Sequence, residues 1–175
     1  MDVHEAVRTR KSVRSYLAKP VEEDKLLRVL EAARLAPSAR NRQEWRFVVV
    51  TGEATRRRLA DAAAGQAFVA EAPVVIVGCA ETDHHVMRCG HKCFPIDLAI
   101  AMDHLSLAAV AEGLGTCWIG AFSAEAVRSV LGIPAEIEIV ELMPLGYPSD
   151  PAPVAKQRLP LDAIVRRELW ENRSV

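Results

Sequence analysis

The chain has 175 residues, and half of them are hydrophobic, so we expect a single domain over residues 1–175 with a substantial core. The formal net charge is −1, which gives no reason to expect nucleic acid or a membrane surface as a partner. Four cysteines are too few for a disulfide scaffold, no apolar run has the length of a bilayer-spanning helix, and the N-terminus lacks a signal-peptide core, so we expect a cytoplasmic protein.

Apolar residues at helical or strand spacing predict five elements in the first half of the chain. Pro37 ends the second helix, because the residue before a proline avoids helical geometry, and a polar loop follows it. The β-branched run from Val74 to Cys79 predicts a strand that is buried on both faces. The five elements are a helix within residues 2–9, a helix over 22–35, a strand over 45–51, a helix over 55–64 and a strand over 74–79.

The most unusual element is the helix predicted from Pro95 to Glu112, which is apolar almost all round. Such a helix must be covered on most sides, so we expect it at the centre of the domain, at a subunit interface, or both. No Gly-x-Gly-x-x-Gly motif follows a strand, which disfavours a Rossmann domain. The remaining elements are a strand at 116–119, a helix at 124–131 with Ser123 as its N-cap, a strand at 137–145 and an extended connector at 148–153.

Two short basic clusters lie at opposite ends of the chain. The first is Arg10-Lys11-Ser12-Val13-Arg14, and the second is Lys156-Gln157-Arg158. Each could be solvated surface charge, as most charged runs are. If the fold brings them together, however, the guanidinium forks and ammonium groups would form a site for phosphate.

Residues 84–93 contain five potential metal ligands of a kind that would suit zinc. Their spacing matches neither a zinc knuckle nor an iron–sulfur motif. Three interpretations therefore stay open: a metal site, a redox or substrate-contacting role, and a loop in which these residues are incidental. We assign no metal from the sequence; the candidate ligands are His84, His85, Cys89, His91 and Cys93.

Seven short motifs follow one another along the chain. They are residues 10–16 (RKSVRSY), 36–45 (APSARNRQEW), the helix at 95–112, 113–122 (GLGTCWIGAF), 131–134 (LGIP), 145–148 (LGYP) and 156–160 (KQRLP). Each motif is weak by itself, but in this order the chain resembles the FMN-dependent nitroreductase family along nearly its whole length. One departure is Glu44, which occupies a position where that family often has proline.

The resemblance implies an α+β fold with a central, mostly antiparallel sheet flanked by helices. It also implies a homodimer with a long buried helix and FMN at the subunit interface. The basic clusters would hold the flavin phosphate and ribityl chain, the loop after the second helix would approach the isoalloxazine ring, commonly from the partner subunit, and the turn at Gly120 would lie beside flavin N5. The implied cofactor-binding residues are Arg10, Lys11, Ser12, Arg14, Pro37, Ser38, Ala39, Asn41, Gln43, Gly120, Ala121, Lys156 and Arg158.

The same resemblance implies an oxidoreductase with a ping-pong mechanism. NAD(P)H would deliver hydride to flavin N5, and an oxidised small molecule such as a nitroaromatic or a quinone would then be reduced. The cofactor carries this chemistry, so we name no catalytic residue. A cation near flavin N1 would stabilise the reduced ring, and the sequence leaves Arg14 and Lys11 as alternatives. Two other functions stay open: a flavin-fragmenting enzyme similar to 5,6-dimethylbenzimidazole synthase, and a flavin- or metal-binding protein without turnover.

Overall fold

A computed structural model describes residues 1–171 of the protein. Its centre is a four-stranded sheet in the order β1–β2–β4–β3, and every pair of neighbouring strands is antiparallel. The strands are β1 (Trp45–Val50), β2 (Val74–Ala80), β3 (Gly115–Thr116) and β4 (Glu138–Gly146). The helices are α1 (Val3–Thr9), α2 (Glu23–Arg34), α3 (Glu53–Ala62), α4 (Ala67–Glu71), α5 (Phe94–Ala111), α6 (Ala124–Leu131) and α7 (Leu161–Ile164). The expected α+β fold with a mostly antiparallel sheet is confirmed.

The two faces of the sheet carry different helices. Alternate side chains of β2 point to opposite faces, as the pleat of a strand requires. Ile76 packs with residues of α2 and α5, whereas Val75 and Val77 pack with residues of α3, α4 and α6. Every residue of β2 is buried, which confirms the prediction of a strand covered on both faces.

Helix α5 approaches β2 closely because Gly78 has no side chain. A Cβ atom at Gly78 would lie 3.0 Å from Leu98 Cδ2 and 3.6 Å from Met102 Sδ, and both of these residues belong to α5. Pro95 stands in the first turn of the helix, where its missing N–H breaks no helical hydrogen bond. The inner face of α5 therefore packs directly against the central strand β2 at Gly78.

The outer face of α5 is a shallow apolar groove of about 500 Å³, lined by Pro95, Ile96, Ala99, Ile100, Asp103 and His104. In the single chain the inner face of α5 is buried, while Ile96 and Asp103 are exposed in the outer groove. That a second chain covers this groove, as the composition of the helix predicts, stays a prediction. Contrary to expectation, α5 is also long and apolar enough, by length and composition alone, to cross a membrane. The central helix of a globular protein passes the same test, and the inner face of α5 is part of the core.

Three short elements differ from the prediction. The strand expected at 116–119 is only the two-residue β3, because the chain leaves β4 after Thr116 and meets it again in one bridge between Ile119 and Leu142. Helices α4 and α7 have no counterpart in the prediction. They have five and four residues, too few to show a helical period in the sequence.

The N-terminal segment that follows α1 runs beside β3. Val13 N donates a hydrogen bond to Thr116 O at 2.9 Å. Gly115 makes this approach possible, because a Cβ atom there would overlap Val13 Cγ2 and lie 3.1 Å from Pro148 Cγ. The first basic cluster is thereby held against the edge of the sheet.

We expect Gly115→Ala to lower the free energy of unfolding by about 1–3 kcal/mol, because the added methyl group forces Val13 away from β3. Gly52→Ala is the matched control, since a Cβ atom there meets only Thr55 Oγ1, at 3.8 Å. Urea unfolding measures both variants. Equal stabilities would show that the N-terminal segment does not depend on this contact.

Candidate cofactor-binding site

The fold brings the two basic clusters into one cleft. The first cluster lines one side and residues 154–158 line the other, around a volume of about 480 Å³. Lys156 donates to the carbonyl of Val7, and its pKa is lowered by partial desolvation of the ammonium and by the guanidinium groups of Arg10 and Arg158. Segments from opposite ends of the chain therefore meet, as a phosphate site built from both requires.

The positive charge of this cleft is not compensated. Within residues 1–171, no acidic side chain forms an ion pair with Arg10, Arg14, Lys156 or Arg158. Holding like charges together is unfavourable, and a bound anion would offset that repulsion. Guanidinium groups bind phosphate through paired hydrogen bonds, so the residues present fit a phosphate group.

One wall of the cleft is an extended segment, residues 150–165, which we call the strap. Every residue from 151 to 165 is exposed. The Lys11 ammonium fastens the strap by donating to the carbonyl of Asp150 at 2.9 Å and to that of Ala152 at 2.5 Å. Lys11 is thus already bonded to the backbone, which its place in the sequence does not reveal.

The turn predicted to lie beside the flavin follows the same edge of the sheet. Ile119 exchanges two backbone hydrogen bonds with Leu142, at 3.0 and 3.2 Å, and so fixes the start of the turn. A Cβ atom at Gly120 would meet no atom within 4 Å, so one side of the turn is open. The Gln66 side chain donates to Ala121 O at 3.3 Å. The sequence gives no signal for this contact, since α4 and the turn are joined only by the fold.

The loop at 37–43, which is predicted to approach the flavin ring, has an unusual backbone. It contains a 3₁₀ turn over Ala39–Asn41. Ser38 Oγ accepts a hydrogen bond from Gln43 N at 3.0 Å and closes the loop on itself. Three of its residues have φ angles in the left-handed region, which residues other than glycine rarely adopt: Arg40 (52°), Asn41 (56°) and Gln43 (50°).

In one chain, this loop and the basic cleft lie at opposite ends of α5. Asp97, in the first turn of α5, accepts the N–H of Ala39. Val110, in the last turn, lines a small pocket together with Lys11 and Gly115. The rise from Asp97 to Val110 is about 20 Å at 1.5 Å per residue. The structure therefore joins the two basic clusters and keeps the loop at 37–43 away from them.

Behind the loop lies a buried polar cluster that the sequence does not predict. Glu44 Oε1 accepts from Arg42 Nη2 at 3.1 Å, and Cys93 Sγ donates to Glu44 Oε2 at 3.4 Å. Burial raises the pKa of Asp97 and of Cys93. Burial also acts to raise the pKa of Glu44, but hydrogen bonds from Arg42, Thr82 and Cys93 outweigh it, and the pKa lies below its usual value.

Glu44, Cys93 and Asp97 form the one group of three metal-ligand side chains, within the described residues, whose ligand atoms all lie within 4.8 Å of one another. They could surround a small cation. The guanidinium of Arg42 already pairs with Glu44, at 3.1 Å, so the burial of the Glu44 carboxylate does not require a metal.

The five candidates of the segment at 84–93 do not converge on one point in residues 1–171. A bridge between Val86 and Lys92 closes a hairpin, and Cys89 is exposed near its tip. His84 packs edge-on against Phe94, with ring centroids 5.7 Å apart. His91 is exposed on the hairpin and His85 is half-buried, whereas Cys93 is buried beside Glu44.

The profile of the nitroreductase family matches residues 7–73 and 62–147 of the chain. The chain belongs to this family. The NADH dehydrogenase of Thermus thermophilus is 36% identical to this chain, in an alignment that covers 97% of this chain and 96% of the Thermus protein. The 5,6-dimethylbenzimidazole synthase of Rhodospirillum rubrum is 30% identical over 83% of this chain and 81% of its own. The solved structure of NADPH:FMN oxidoreductase from Vibrio harveyi with NAD⁺ has a TM-score of 0.88 at 27% identity, over 97% of this chain and 78% of that one.

One buried carboxyl group of this nitroreductase-family chain lacks a partner. Glu141, in β4, has 5% of its surface exposed, and its Oε1 has no hydrogen-bond partner among residues 1–171. Burial, with a smaller contribution from Asp103, raises its pKa to about 8. Burial likewise raises the pKa of the nearby Cys117 thiol, which is 2% exposed. At neutral pH Glu141 is therefore mostly protonated.

We expect Glu141 to make the protein less stable as pH rises from about 5 to about 8. The folded state keeps a proton up to a pKa of about 8, whereas the unfolded state releases it near 4.5. The free energy of unfolding therefore falls by up to about 1.4 kcal/mol per pH unit in this window, and the fall stops above it.

Glu141→Gln removes this dependence, and Glu136→Gln, at an exposed position, is the control. Urea unfolding at three pH values between 5 and 8 compares the slopes. Parallel slopes in the wild type and Glu141→Gln would contradict the assignment.

Proposed function

We propose that the protein is an FMN-dependent oxidoreductase that takes electrons from NAD(P)H. The observation that carries this proposal is the uncompensated basic cleft, which suits the phosphate of FMN. Family membership supports it, and so do relatives that are named NADH dehydrogenase and NADPH:FMN oxidoreductase.

Arg10, Ser12, Lys156 and Arg158 would hold the phosphate group in the cleft. Bound FMN supplies the redox chemistry: hydride arrives from NAD(P)H and later leaves to an oxidised small molecule such as a nitroaromatic or a quinone. The open side of Gly120 allows a backbone N–H to come close to the ring, which a side chain would prevent.

Arg14 is the cation that we assign to the pyrimidine edge of the ring. The sequence leaves Arg14 and Lys11 as alternatives, but the Lys11 ammonium is bonded to two carbonyls of the strap. Arg14 lies near the Cys117 thiol beside β3, where it acts to lower the pKa of that thiol. A cation at this edge stabilises the negative charge that develops there during reduction.

We infer that the active unit is a homodimer. The loop at 37–43 and the basic cleft are about 20 Å apart along α5, so a single chain does not offer both to one flavin. Two chains packed antiparallel through the outer faces of α5 would bring each loop to the partner's cleft. The same packing would cover the apolar groove between Pro95 and His104. A cytoplasmic location stays a prediction.

The visible absorption spectrum of the purified protein tests the proposed activity. We expect the two bands of oxidised flavin, bleached by NADH or NADPH without oxygen and restored by a nitroaromatic or a quinone. A flavin band that neither nucleotide bleaches would rule out NAD(P)H as the electron donor. No flavin band, even after incubation with FMN, would contradict the assignment of the cleft.

A second function is favoured by one finding, the 30% identity to 5,6-dimethylbenzimidazole synthase over most of both chains. Such an enzyme consumes reduced FMN and oxygen and releases dimethylbenzimidazole, which chromatography detects. Formation of that product would replace the first proposal. Steady consumption of NAD(P)H with an external acceptor, and no such product, would support the first proposal and exclude a binding protein without turnover.

We expect the double variant Arg10→Ala, Arg158→Ala to purify largely without FMN, because the phosphate loses charge-assisted hydrogen bonds of about 1.5–3 kcal/mol each. The ratio of flavin to protein absorbance measures the occupancy. The control is Arg34→Ala, Arg57→Ala, which removes two arginines from exposed ion pairs within single helices. Full FMN occupancy in the first variant would contradict the assignment of the cleft to the phosphate.

We also expect Ile96→Glu to be monomeric and to lose FMN. Ile96 lies in the outer groove of α5 with 43% of its surface exposed, so a charge there opposes the proposed dimer without entering the core. Leu27→Glu, on α2 at 55% exposure, is the control. Light scattering gives the mass of each variant. A dimeric Ile96→Glu protein would place the interface elsewhere.

A further inference from the structure

The loop at 37–43 needs an external support for its shape. Arg40, Asn41 and Gln43 all have positive φ angles, and none of them is glycine. Each such residue raises the energy of the folded loop, so this shape persists only where neighbouring groups enforce it.

Asp97 provides the connection between the first half of this loop and α5. The N–H of Ala39 lies 3.1 Å from both carboxylate oxygens of Asp97. The contact between Ser38 and Gln43 lies within the loop. Its second half is held by the ion pairs of Arg42 with Glu44 and Asp83 and by a hydrogen bond from Arg46 to the carbonyl of Gln43. The turn at Ala39 is therefore held by Asp97.

The position of Asp97 is rigid. Only 5% of its surface is exposed, and it stands in the first turn of the 18-residue helix α5. Its neighbour Leu98 packs directly against Gly78 in the central strand. A hydrogen bond from the loop to Asp97 therefore ties the loop to the core of the molecule.

We propose that Asp97 is a positioning residue of the flavin site: its carboxylate holds the N–H of Ala39 and so sets where Asn41 and Gln43 stand relative to the flavin ring. This inference rests on the proposed function, because only a bound flavin gives the position of the loop a role. Asp97 does not contact the flavin or the substrate itself; it acts by positioning the loop.

The property that matters is the hydrogen-bond acceptor and not the charge. The nearby guanidinium of Arg42 pairs with Glu44 and Asp83, and among residues 1–171 Asp97 forms no ion pair that would need its charge. An asparagine keeps a side-chain oxygen at the same place. A leucine keeps nearly the same shape and offers no acceptor, which makes Asp97→Asn and Asp97→Leu a matched pair.

The first test is hydrogen exchange of the FMN-loaded protein, followed by mass spectrometry of peptides that cover residues 38–43. We expect Asp97→Leu to exchange at least tenfold faster there than the wild type, and Asp97→Asn to stay within threefold. Asp61→Leu, at an exposed position of α3, is the control. Should Asp97→Leu not fold, Asp97→Ala takes its place.

The second test is steady-state kinetics with a quinone, together with FMN titration. We expect Asp97→Leu to raise the KM for the quinone at least fivefold. The Kd for FMN should change less than threefold, because the basic side chains that would bind its phosphate belong to the cleft and not to this loop. Asp97→Asn should restore the wild-type KM.

Two results would overturn the inference: unchanged exchange and KM in Asp97→Leu, or an Asp97→Asn variant that behaves like Asp97→Leu. Failure of the proposed function has a different signature, since the wild type itself would then neither bind FMN nor reduce the quinone.

Discussion

The packing of α5 against β2 is the contact from which the rest of the candidate site is built. Gly78 leaves room for Leu98 and Met102 at the centre of the sheet, so the axis of α5 lies close to the strand. One end of the helix holds the loop at 37–43 through Asp97, and the other end lies near the N-terminal segment and β3. A shift of this helix would move both parts of the site together.

The charged groups of the basic cleft and those behind the loop at 37–43 are stabilised differently. Arg10 faces Lys156 and Arg158 across a solvent-exposed cleft, and in residues 1–171 none of them has an acidic partner, so a bound anion would compensate their charge. Glu44, by contrast, is 6% exposed and is paired with Arg42 inside the protein. The family resemblance leads us to expect proline at the position of Glu44, and a proline could make none of these hydrogen bonds. The exchange therefore joins the start of β1 to Cys93 at the N-terminus of α5.

The sequence predicts the helices and strands well wherever their formation depends on the local periodicity of apolar residues. The long helix is predicted at 95–112 and observed at Phe94–Ala111, and the second strand is predicted at 74–79 and observed at Val74–Ala80. The residue types of the two basic clusters predict a phosphate site, and the fold does bring the clusters together. Whether they bind FMN stays a prediction.

Other features depend on contacts between distant segments, which periodicity does not encode. Lys11 belongs to the first basic cluster, but the path of the strap turns its ammonium towards two carbonyls. Cys93 belongs to a segment rich in histidine and cysteine, but the hairpin separates it from the histidines and packing places it beside Glu44. The outer face of α5 is open in the single chain, because the composition of a helix does not tell whether its own chain or a second one covers it.

The strap gives the cleft one wall with no core behind it. Its residues from 151 to 165 are all exposed, and the described contacts that fasten its first part are those of Lys11 and Lys156 with backbone carbonyls. Opening such a segment requires far less free energy than global unfolding. A phosphate-bearing cofactor that bridges both walls binds only the closed form, so binding and closure of the strap are thermodynamically linked. The cofactor would then leave by local opening of one wall, and its rate of exchange would report the stability of the strap and not that of the domain.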